Sequence, residues 1–377
     1  MRVSLLILAV LLFGCSQVSE NPKTTQEIQI NRKCIKPFKL SEVVESIQLI
    51  PLESQEECFI REIRKLEHYN NRFYILDQAK VFVFDQEGKF LSQIGKQGNG
   101  PEEYSMVSDF WIDKGSGIIG LMDPNKKHIL NYSITDGVYQ SVEDIPVIGM
   151  RYCRLKDHQN MVYANNMPSV INDEEVNDNL FVSSSEGHLT KQMSPIVYKQ
   201  AFSFDATNFV VDKSNDQILF LNSWCDTIYN VTSGNARPRY IVNYGDMSMP
   251  NSVRNERDWM KFDDARMRGN FAYGVDGFQS TENYLSFIFG IGKTMQSLLY
   301  NKKSGKVWAS DKIENDLMGF QPKFPLRACQ KNDVMIGTVE AYQLLQTWQN
   351  NPKYDLSKEY NLKEDSNVVL VLYKLKS

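Results

Sequence analysis

Histidine is scarce in this chain of 377 residues, which has only four. These four, His68, His128, His158 and His188, are scattered, and three of them fall at or beside predicted turns or strand starts. Metal sites and histidine general bases need convergent ligands or partners, which this distribution does not predict. A Gly-x-Ser-x-Gly elbow and a His-Glu-x-x-His helix are also absent. We therefore predict no metal ion, no cofactor and no catalytic residues.

Carboxylates leave the question of catalysis open. Asp263-Asp264 and Glu102-Glu103 are adjacent in sequence, and carboxylate pairs can hydrolyse glycosidic bonds at separations that a linear sequence does not reveal. Adjacent pairs more often mark solvated loops. The stretch from Asp212 to Asp216 lacks the spaced glycine and the terminal glutamate of a calcium loop, so it reads as a turn.

Signatures of nucleotide and nucleic-acid binding are missing as well. Gly290-Ile291-Gly292-Lys293-Thr294 is similar to part of a phosphate loop, but Phe287 stands where the first glycine is required. The chain has 42 Lys and Arg against 46 Asp and Glu, a formal net charge of -4, with both signs mixed along its length. Such a balance predicts no phosphate-binding face and no nucleic-acid partner.

Long apolar runs are also missing, apart from one near the start of the chain, Val3 to Phe13. It is shorter than the roughly 20 residues of a membrane-spanning helix, and with Arg2 before it this run is typical of a signal peptide. Leu12-Phe13-Gly14-Cys15 then resembles the bacterial lipobox, which implies acyl chains on Cys15; an ordinary secretory signal is the alternative. Ser16 after the cysteine implies the outer membrane, and residues 16–40 are predicted to be a tether.

Five cysteines remain after Cys15, an odd number at wide spacings that specifies neither a zinc site nor a disulfide framework. Cys34 and Cys58 could pair in an oxidising periplasm. For Cys153, Cys225 and Cys329 we expect buried free thiols.

A repeat of two hairpins organises the rest of the chain. A polar turn followed by a short apolar run recurs in six copies, from NNRFYILD at residues 70–77 to KNDVMIGTV at residues 331–339. A second hairpin follows the first, as in VFVFDQEGKFL at residues 81–91, with glycine at or beside its tip. Each repeat therefore predicts a four-stranded antiparallel sheet, with strands a to d.

The sixth repeat, at residues 367–377, ends before its strand d. An unassigned segment with alternating apolar residues, Ser46 to Leu52, lies before the first repeat and can supply the missing strand. Radially repeated sheets leave only short exposed edges. The sequence thus predicts an all-β, six-bladed β-propeller over residues 41–377, its ring closed by an N-terminal strand in the C-terminal blade.

Two motifs carry a resemblance to a known family. Gly95-Lys96-Gln97-Gly98-Asn99-Gly100-Pro101-Glu102-Glu103-Tyr104 resembles a Gly-rich stretch ending in Gly-Pro-Gly-Glu-Tyr, with Glu102 in place of its last glycine, and residues 365–371 resemble a closing strand. Over nearly its whole mature length the chain resembles the bacterial six-bladed β-propeller lipoproteins related to NHL and TolB-like propellers. Much of that family has no known function, so the resemblance implies fold and export rather than an activity.

Loop length differs between the two faces of such a ring. The a-to-b and c-to-d turns are tight, whereas the long connections all belong to the opposite set: residues 96–107, 167–178, 245–270, 311–325 and 340–366. Because binding residues are concentrated on loops held by a rigid scaffold, the long-loop face is predicted to be the working surface. Helical insertions are predicted near residues 251–268 and 339–349, either as lids over the channel or as covers on neighbouring blades.

Aromatic, arginine and polar residues of these connections are the candidate ligand contacts, although each is individually more often structural. Aromatic rings can stack on a sugar or a peptide side chain, and arginine can hold a carboxylate. The candidates are Tyr104, Asn166, Trp224, Asp226, Arg266, Arg268, Tyr273, Lys293 and Trp348.

Three functions fit this sequence. The first is a membrane-anchored binding module that holds a glycan, a peptide or an envelope protein on the long-loop face and touches the membrane only through its lipid. The second is a propeller hydrolase or lyase acting on a polysaccharide or lactone. The third is a structural subunit of an envelope complex.

Replacement of the lipobox cysteine tests the anchor. In a Cys15→Ser variant we expect loss of metabolic labelling by a radioactive fatty acid and movement of the protein from the membrane fraction to the soluble fraction, because stable anchoring requires acyl chains. A Cys34→Ser variant is the matched control and should keep both properties. Labelling that persists in Cys15→Ser would contradict the lipobox interpretation.

Overall fold

The computed structural model describes residues 25–196 and 208–377. The predicted signal peptide and Cys15 lie outside the described residues. Before the first repeat come three strands and three short 3-10 helices: β1 (Gln26–Gln29), Arg32–Cys34, β2 (Phe38–Lys39), Leu40–Glu42, β3 (Val44–Pro51) and Glu56–Cys58.

Six four-stranded antiparallel units follow, which confirms the predicted number of blades. Blade 1 contains β4 (Ile63–Tyr69), β5 (Arg72–Asp77), β6 (Lys80–Asp85) and β7 (Phe90–Ile94). Blade 2 contains β8 (Asp109–Asp113), β9 (Ile118–Asp123), β10 (His128–Ser133) and β11 (Tyr139–Asp144). Blade 3 contains β12 (Arg151–Arg154), β13 (Asn160–Tyr163), β16 (Asp178–Ser183) and β17 (Leu189–Pro195). A small hairpin, β14 (Ser169–Ile171) with β15 (Glu174–Val176), lies in the b-to-c connection of blade 3.

Blades 4 to 6 carry the helical insertions. Blade 4 contains β18 (Phe209–Asp212), β19 (Gln217–Leu221), β20 (Thr227–Val231) and β21 (Ala236–Asn243), and a 3-10 turn (Gly245–Met247), α1 (Asn251–Arg254) and α2 (Trp259–Arg268) follow it. Blade 5 contains β22 (Ala272–Ser280), β23 (Tyr284–Ile291), β24 (Thr294–Asn301) and β25 (Val307–Ser310), followed by β26 (Ile313–Glu314). Blade 6 contains β27 (Ala328–Gln330), β28 (Val334–Val339), α3 (Ala341–Asn350), a 3-10 turn (Pro352–Tyr354), β29 (Val369–Leu375) and β3.

The blades form a ring with their a strands innermost. Inner strands of neighbouring blades approach one another, including β27 of blade 6 and β4 of blade 1. Each blade is therefore covered on both faces, and its central strands are nearly continuous apolar runs rather than alternating ones. In β5 the run from Phe73 to Leu76 is buried throughout.

The ring closes as predicted. β3 pairs antiparallel with β29, so that Leu49 lies opposite Val371 and Ile50 opposite Leu370. The buried side chain of Asn367 strengthens this junction: its amide donates to the carbonyls of Glu53 and Cys58 at 3.0 Å each, and its oxygen accepts from the backbone of Ile60.

The prediction of a tether up to residue 40 is wrong for its described part, because residues 25–40 pack on the propeller. β1 adds a fifth, parallel strand to the outer edge of blade 4, with Ile28 opposite Val242. Ile28 and Ile30 are buried, and β2 pairs with β26 beside blade 5. β1 thus belongs to the folded domain, because even this short segment covers apolar surface of blade 4.

The suggested bond between Cys34 and Cys58 is not formed, because all five cysteines of the described residues are free. Cys34 lies beside blades 4 and 5, next to Asn31, whereas Cys58 is buried in the core of blades 6 and 1. Cys153 and Cys329 are buried as expected, and Cys225 is half-buried. Within the two described stretches, no helix is long and apolar enough to cross a bilayer.

Truncation of one closing residue tests the importance of the β3–β29 pair. Leu49 is 4% exposed on β3, and Leu91, on the equivalent outer strand β7 of blade 1, is 44% exposed. We expect Leu49→Ala to lower the free energy of unfolding by about 2 to 5 kcal/mol and Leu91→Ala to change it by less than about 0.5 kcal/mol. Urea titration of both variants measures this, and equal losses would argue against a special role for the closing strand.

Candidate functional site

The two ends of the blades form different surfaces. The a-to-b and c-to-d turns form what we call the short-turn face, and the b-to-c and d-to-a connections form the long-loop face. Tight turns of the short-turn face use left-handed residues such as Asn70 and Asn71. One of them, Gly88 between β6 and β7, has φ +84°, and a Cβ there would meet the carbonyl of Pro51 at 2.2 Å. Glycine is therefore required where blade 1 packs on the closing strand.

Both predicted helical insertions are present, and both pack against neighbouring blades. The first is divided into α1 and α2, and Phe262 of α2 is fully buried between Met249 and Tyr273. The second forms α3, whose residues Leu344 and Trp348 lie in the core of blades 5 and 6. The helices thus hold the long-loop face in a fixed shape.

Four side chains converge where α2 lies over blades 4 and 5, and we call them the aromatic-arginine cluster: Trp224, Trp259, Arg266 and Tyr273. The guanidinium carbon of Arg266 lies 4.8 Å from the ring centre of Trp224 and 5.0 Å from that of Tyr273. Its Nη1 donates to the hydroxyl of Tyr273 at 3.0 Å, and its Nη2 bonds Asp263. Stacking and hydrogen bonding together fix the cation between two rings.

A cavity of about 110 Å³ lies beneath this cluster, with Ser223, Val275 and Phe289 among its lining residues. The Nε of Arg266 is buried and has no hydrogen-bond partner among the described residues. Trp224 has φ +70°, an uncommon conformation for a bulky residue. Such strain is concentrated at functional sites.

Three of the nine candidate ligand contacts therefore come together here: Trp224, Arg266 and Tyr273. Asp226 lies nearby and bonds Arg254 of α1 at 3.1 Å. Arg268 is exposed and pairs with Asp264 on the outer side of α2. Lys293 is exposed at the tight b-to-c turn of blade 5.

The other three candidates are buried and do not reach the surface. Tyr104 is fully buried between blades 1 and 2, because its backbone bonds to Lys96 and Gly98 fold the Gly-rich loop back on itself. Trp348 points inward from α3 and stacks on Tyr360. Asn166 is 1% exposed and exchanges two hydrogen bonds with Asn179, of 2.7 and 2.8 Å.

Exposed apolar side chains are concentrated on the long-loop face. Of the eleven large hydrophobic residues exposed in the described part of the chain, seven belong to long-loop connections or strand ends of that face: Phe59, Ile148, Met167, Val170, Met260, Met295 and Tyr342. Val138, beside the c-to-d turn of blade 2, and Leu91, just after that of blade 1, lie towards the short-turn face. This one-sided distribution was not visible from loop lengths alone.

A much larger cavity, of about 730 Å³, opens on the opposite, short-turn face. It lies on the ring axis, because a-to-b turns of five blades line it. The sequence prediction missed its basic lining residues, which include Lys114, Arg154, Lys156, Lys213 and Lys331. A signal was available, since lysine recurs just after strand a in IDK, RLK, VDK and CQK of blades 2, 3, 4 and 6.

Clusters suited to metal binding were not predicted, and the described residues contain no group of three or more His, Cys, Asp or Glu that could hold an ion. His68, on the wall of the larger cavity, packs its ring 5.1 Å from that of Phe73. Burial, with a smaller contribution from the charge of Lys213, lowers the pKa of His68 to about 4. The imidazole is therefore neutral near pH 7.

The ring of repeated sheets and the closing strand define a six-bladed β-propeller of the NHL and TolB-like type. The chain belongs to the DUF4934 family, described as a domain of unknown function, whose model matches residues 25–374. No curated protein matches the sequence.

Two solved structures show the same fold. A presumed exported protein of Bacteroides fragilis NCTC 9343 is 16% identical, with a TM-score of 0.79 over 93% of this chain and 100% of that one. A member of the DUF4221 family from Bacteroides vulgatus ATCC 8482 is 11% identical, with a TM-score of 0.52 over 89% of this chain and 97% of that one.

Titration of His68 tests its environment. In the unfolded chain the imidazole has a pKa of about 6.5, above its value of about 4 in the folded protein. Between these values the unfolded chain binds a proton that the folded chain does not, so stability is lost as the pH falls through this window. NMR of the imidazole should show a midpoint near 4, and the stability loss should be smaller in a His68→Gln variant; a midpoint near 6.5 would contradict the burial argument.

Proposed function

We propose that the protein is an exported, lipid-anchored binding module of the cell envelope that holds its partner on the long-loop face. The observation that carries this proposal is the concentration of exposed apolar side chains on that face, together with the aromatic-arginine cluster. Apolar residues exposed on one side of a molecule are typical of interaction surfaces.

The chemistry of this face favours a peptide or a protein over a glycan. Met167, Val170 and Met260 are 47, 64 and 75% exposed. These aliphatic side chains provide apolar contact area without the ring faces on which sugars stack. The aromatic-arginine cluster adds rings at the edge of the same surface, and aromatic and arginine residues dominate the energy of protein interfaces.

The direction of β1 supports an outward position for the long-loop face. β1 runs parallel to β21, which leads from the short-turn face to the long-loop face. Gln26 is therefore nearer the short-turn face than Gln29 is. The described chain thus starts at the short-turn end of blade 4, which supports a long-loop face directed away from an anchor that precedes Gln26.

Binding to arrays tests the proposal. The full-length protein, purified in detergent, is applied to peptide and glycan arrays, together with the variants Met260→Asp and Val170→Asp. A charge placed in an apolar contact should lower the peptide signals at least about tenfold, or about 1.4 kcal/mol. Leu91→Asp, exposed on the outer edge of blade 1, is the matched control and should bind as the wild type does.

Two outcomes would argue against this function. Signals that survive both long-loop substitutions would place binding elsewhere, and the absence of signal on both arrays would remove the support for a peptide or glycan partner. Signals confined to the glycan array would reject a peptide or protein partner, but they would not argue against binding on the long-loop face.

A further inference from the structure

The cavity on the short-turn face is lined by cations that come from separate blades. Lys114, Lys156, Lys213 and Lys331 each follow strand a of their blade, in blades 2, 3, 4 and 6. Because equivalent positions of a propeller face the same end of its axis, four turns far apart in sequence deliver their ammonium groups to one cavity. We call these four residues the lysine ring.

Among the described residues, the lysines of this ring have no ion-pair partner, because no carboxylate lies within 4.0 Å of any of their ammonium groups. Some lysines elsewhere do form ion pairs, as Lys323 does with Glu340 at 2.9 Å. The fifth cation of the lining, Arg154, is bound by Glu143 and contributes less.

The lining of the cavity contains fewer acidic than basic side chains. Asp113 and Asp216 are the lining carboxylates. Asp113 accepts from the backbone of Gly115 and the hydroxyl of Ser116 in its own turn. With Arg154 paired to Glu143, the four lysines against two lining carboxylates still give this lining a net positive charge, although the whole chain has a formal charge of -4.

The ammonium groups are also close enough to repel one another. Burial and then the charge of Lys213 lower the pKa of Lys114, with a further contribution from Lys331. Burial likewise disfavours the charged form of Lys213, but nearby acidic groups, among them Glu67 and Asp216, outweigh it and raise its pKa. Burial and the neighbouring ammonium charges thus disfavour the charged form of Lys114, and an anion in the cavity would favour it.

We propose that the axial cavity of the short-turn face binds a polyvalent oxyanion, a small molecule or headgroup with several phosphate or carboxylate groups. A volume of about 730 Å³ lies in the ordinary range for small-molecule sites. Ammonium groups placed around the axis can each reach a different oxyanion group of one ligand, and charge-assisted hydrogen bonds of this kind are the strong ones. This site is separate from the long-loop face and does not depend on the function proposed for it.

Calorimetric titration of the full-length protein at low ionic strength tests the site, with sodium tripolyphosphate and trisodium citrate as separate probes. Removal of one charge-assisted contact should weaken binding at least about tenfold. We expect this of Lys213→Met and, as a second variant at a more exposed position, of Lys331→Met. Lys89→Met is the matched control, because Lys89 is exposed on the c-to-d turn of blade 1, on the same face but outside the cavity.

The titration of His68 provides a readout that does not require a substitution. An anion bound beside it stabilises the imidazolium, so tripolyphosphate should raise the pKa of His68 above its value in the free protein. Binding of neither probe, or affinities that are equal in the wild type and both cavity variants, would overturn the proposal. An affinity loss in Lys89→Met as large as that in Lys213→Met would also overturn the proposal. The anion would then be attracted by the positive charges of the whole short-turn face rather than bound in the cavity.

A second arm distinguishes a soluble ligand from a lipid headgroup. The protein is inserted through its anchor into vesicles of phosphatidylcholine, with or without phosphatidic acid, and the affinity for tripolyphosphate is measured in each. If a headgroup occupies the cavity, tripolyphosphate should bind more weakly in vesicles that contain phosphatidic acid than in vesicles without it. This difference should disappear in the Lys213→Met variant. Equal affinities in both vesicles would assign the site to a soluble anion.

Discussion

Antiparallel pairing of β3 with β29 is the contact on which the whole architecture depends. A blade is a thin sheet that buries apolar residues on both faces, so each blade is stable only between two neighbours. Ile50 and Leu52, which enter with the closing strand, share a core with Ile63 and Phe73 of blade 1 and Leu370 of blade 6. Without β3, the junction of these two blades would expose that core, and both would lose a neighbour.

Buried polar bonds between blades set their relative positions. Lys65 of blade 1 bonds the buried Asp109 of blade 2 at 2.8 Å, and Lys302 of blade 5 bonds the buried Asp212 of blade 4 at 3.0 Å. Burial opposes ionisation of Asp212, but the charge of Lys302 and the hydrogen bonds from Ser214 hold its pKa below the usual value. A shifted blade would leave such charges unpaired in the interior, which is strongly unfavourable. Apolar contacts therefore hold the ring together, and these pairs determine how its blades are aligned.

Much of this architecture could be predicted from the sequence, because every blade carries its own turn and strand signals. The missing strand d of the last repeat made the role of Val44–Pro51 predictable. β1 was missed because four residues with a single fully buried side chain, Ile28, carry almost no periodic signal. Ring closure determines which distant turns meet at the propeller axis. The recurrence of lysine after strand a therefore predicts the lysine ring only once the propeller fold is known.

The candidate site was harder to predict, since residue type does not reveal the direction of a side chain. Trp224, Arg266 and Tyr273 converge as expected of a long-loop site. Tyr104 and Trp348 belong to the same residue classes but lie in other cores, one in a folded-back loop and the other on the inner side of a helix. Packing, which depends on neighbouring blades, decided between the two outcomes.

The position of the closing strand also constrains the order of events during biogenesis. Residues 44–51 are synthesised early, whereas their partners at residues 369–375 follow only after the five intervening blades. The ring therefore cannot close while the ribosome is still adding those blades, and a chain truncated before residue 369 lacks the closing pair.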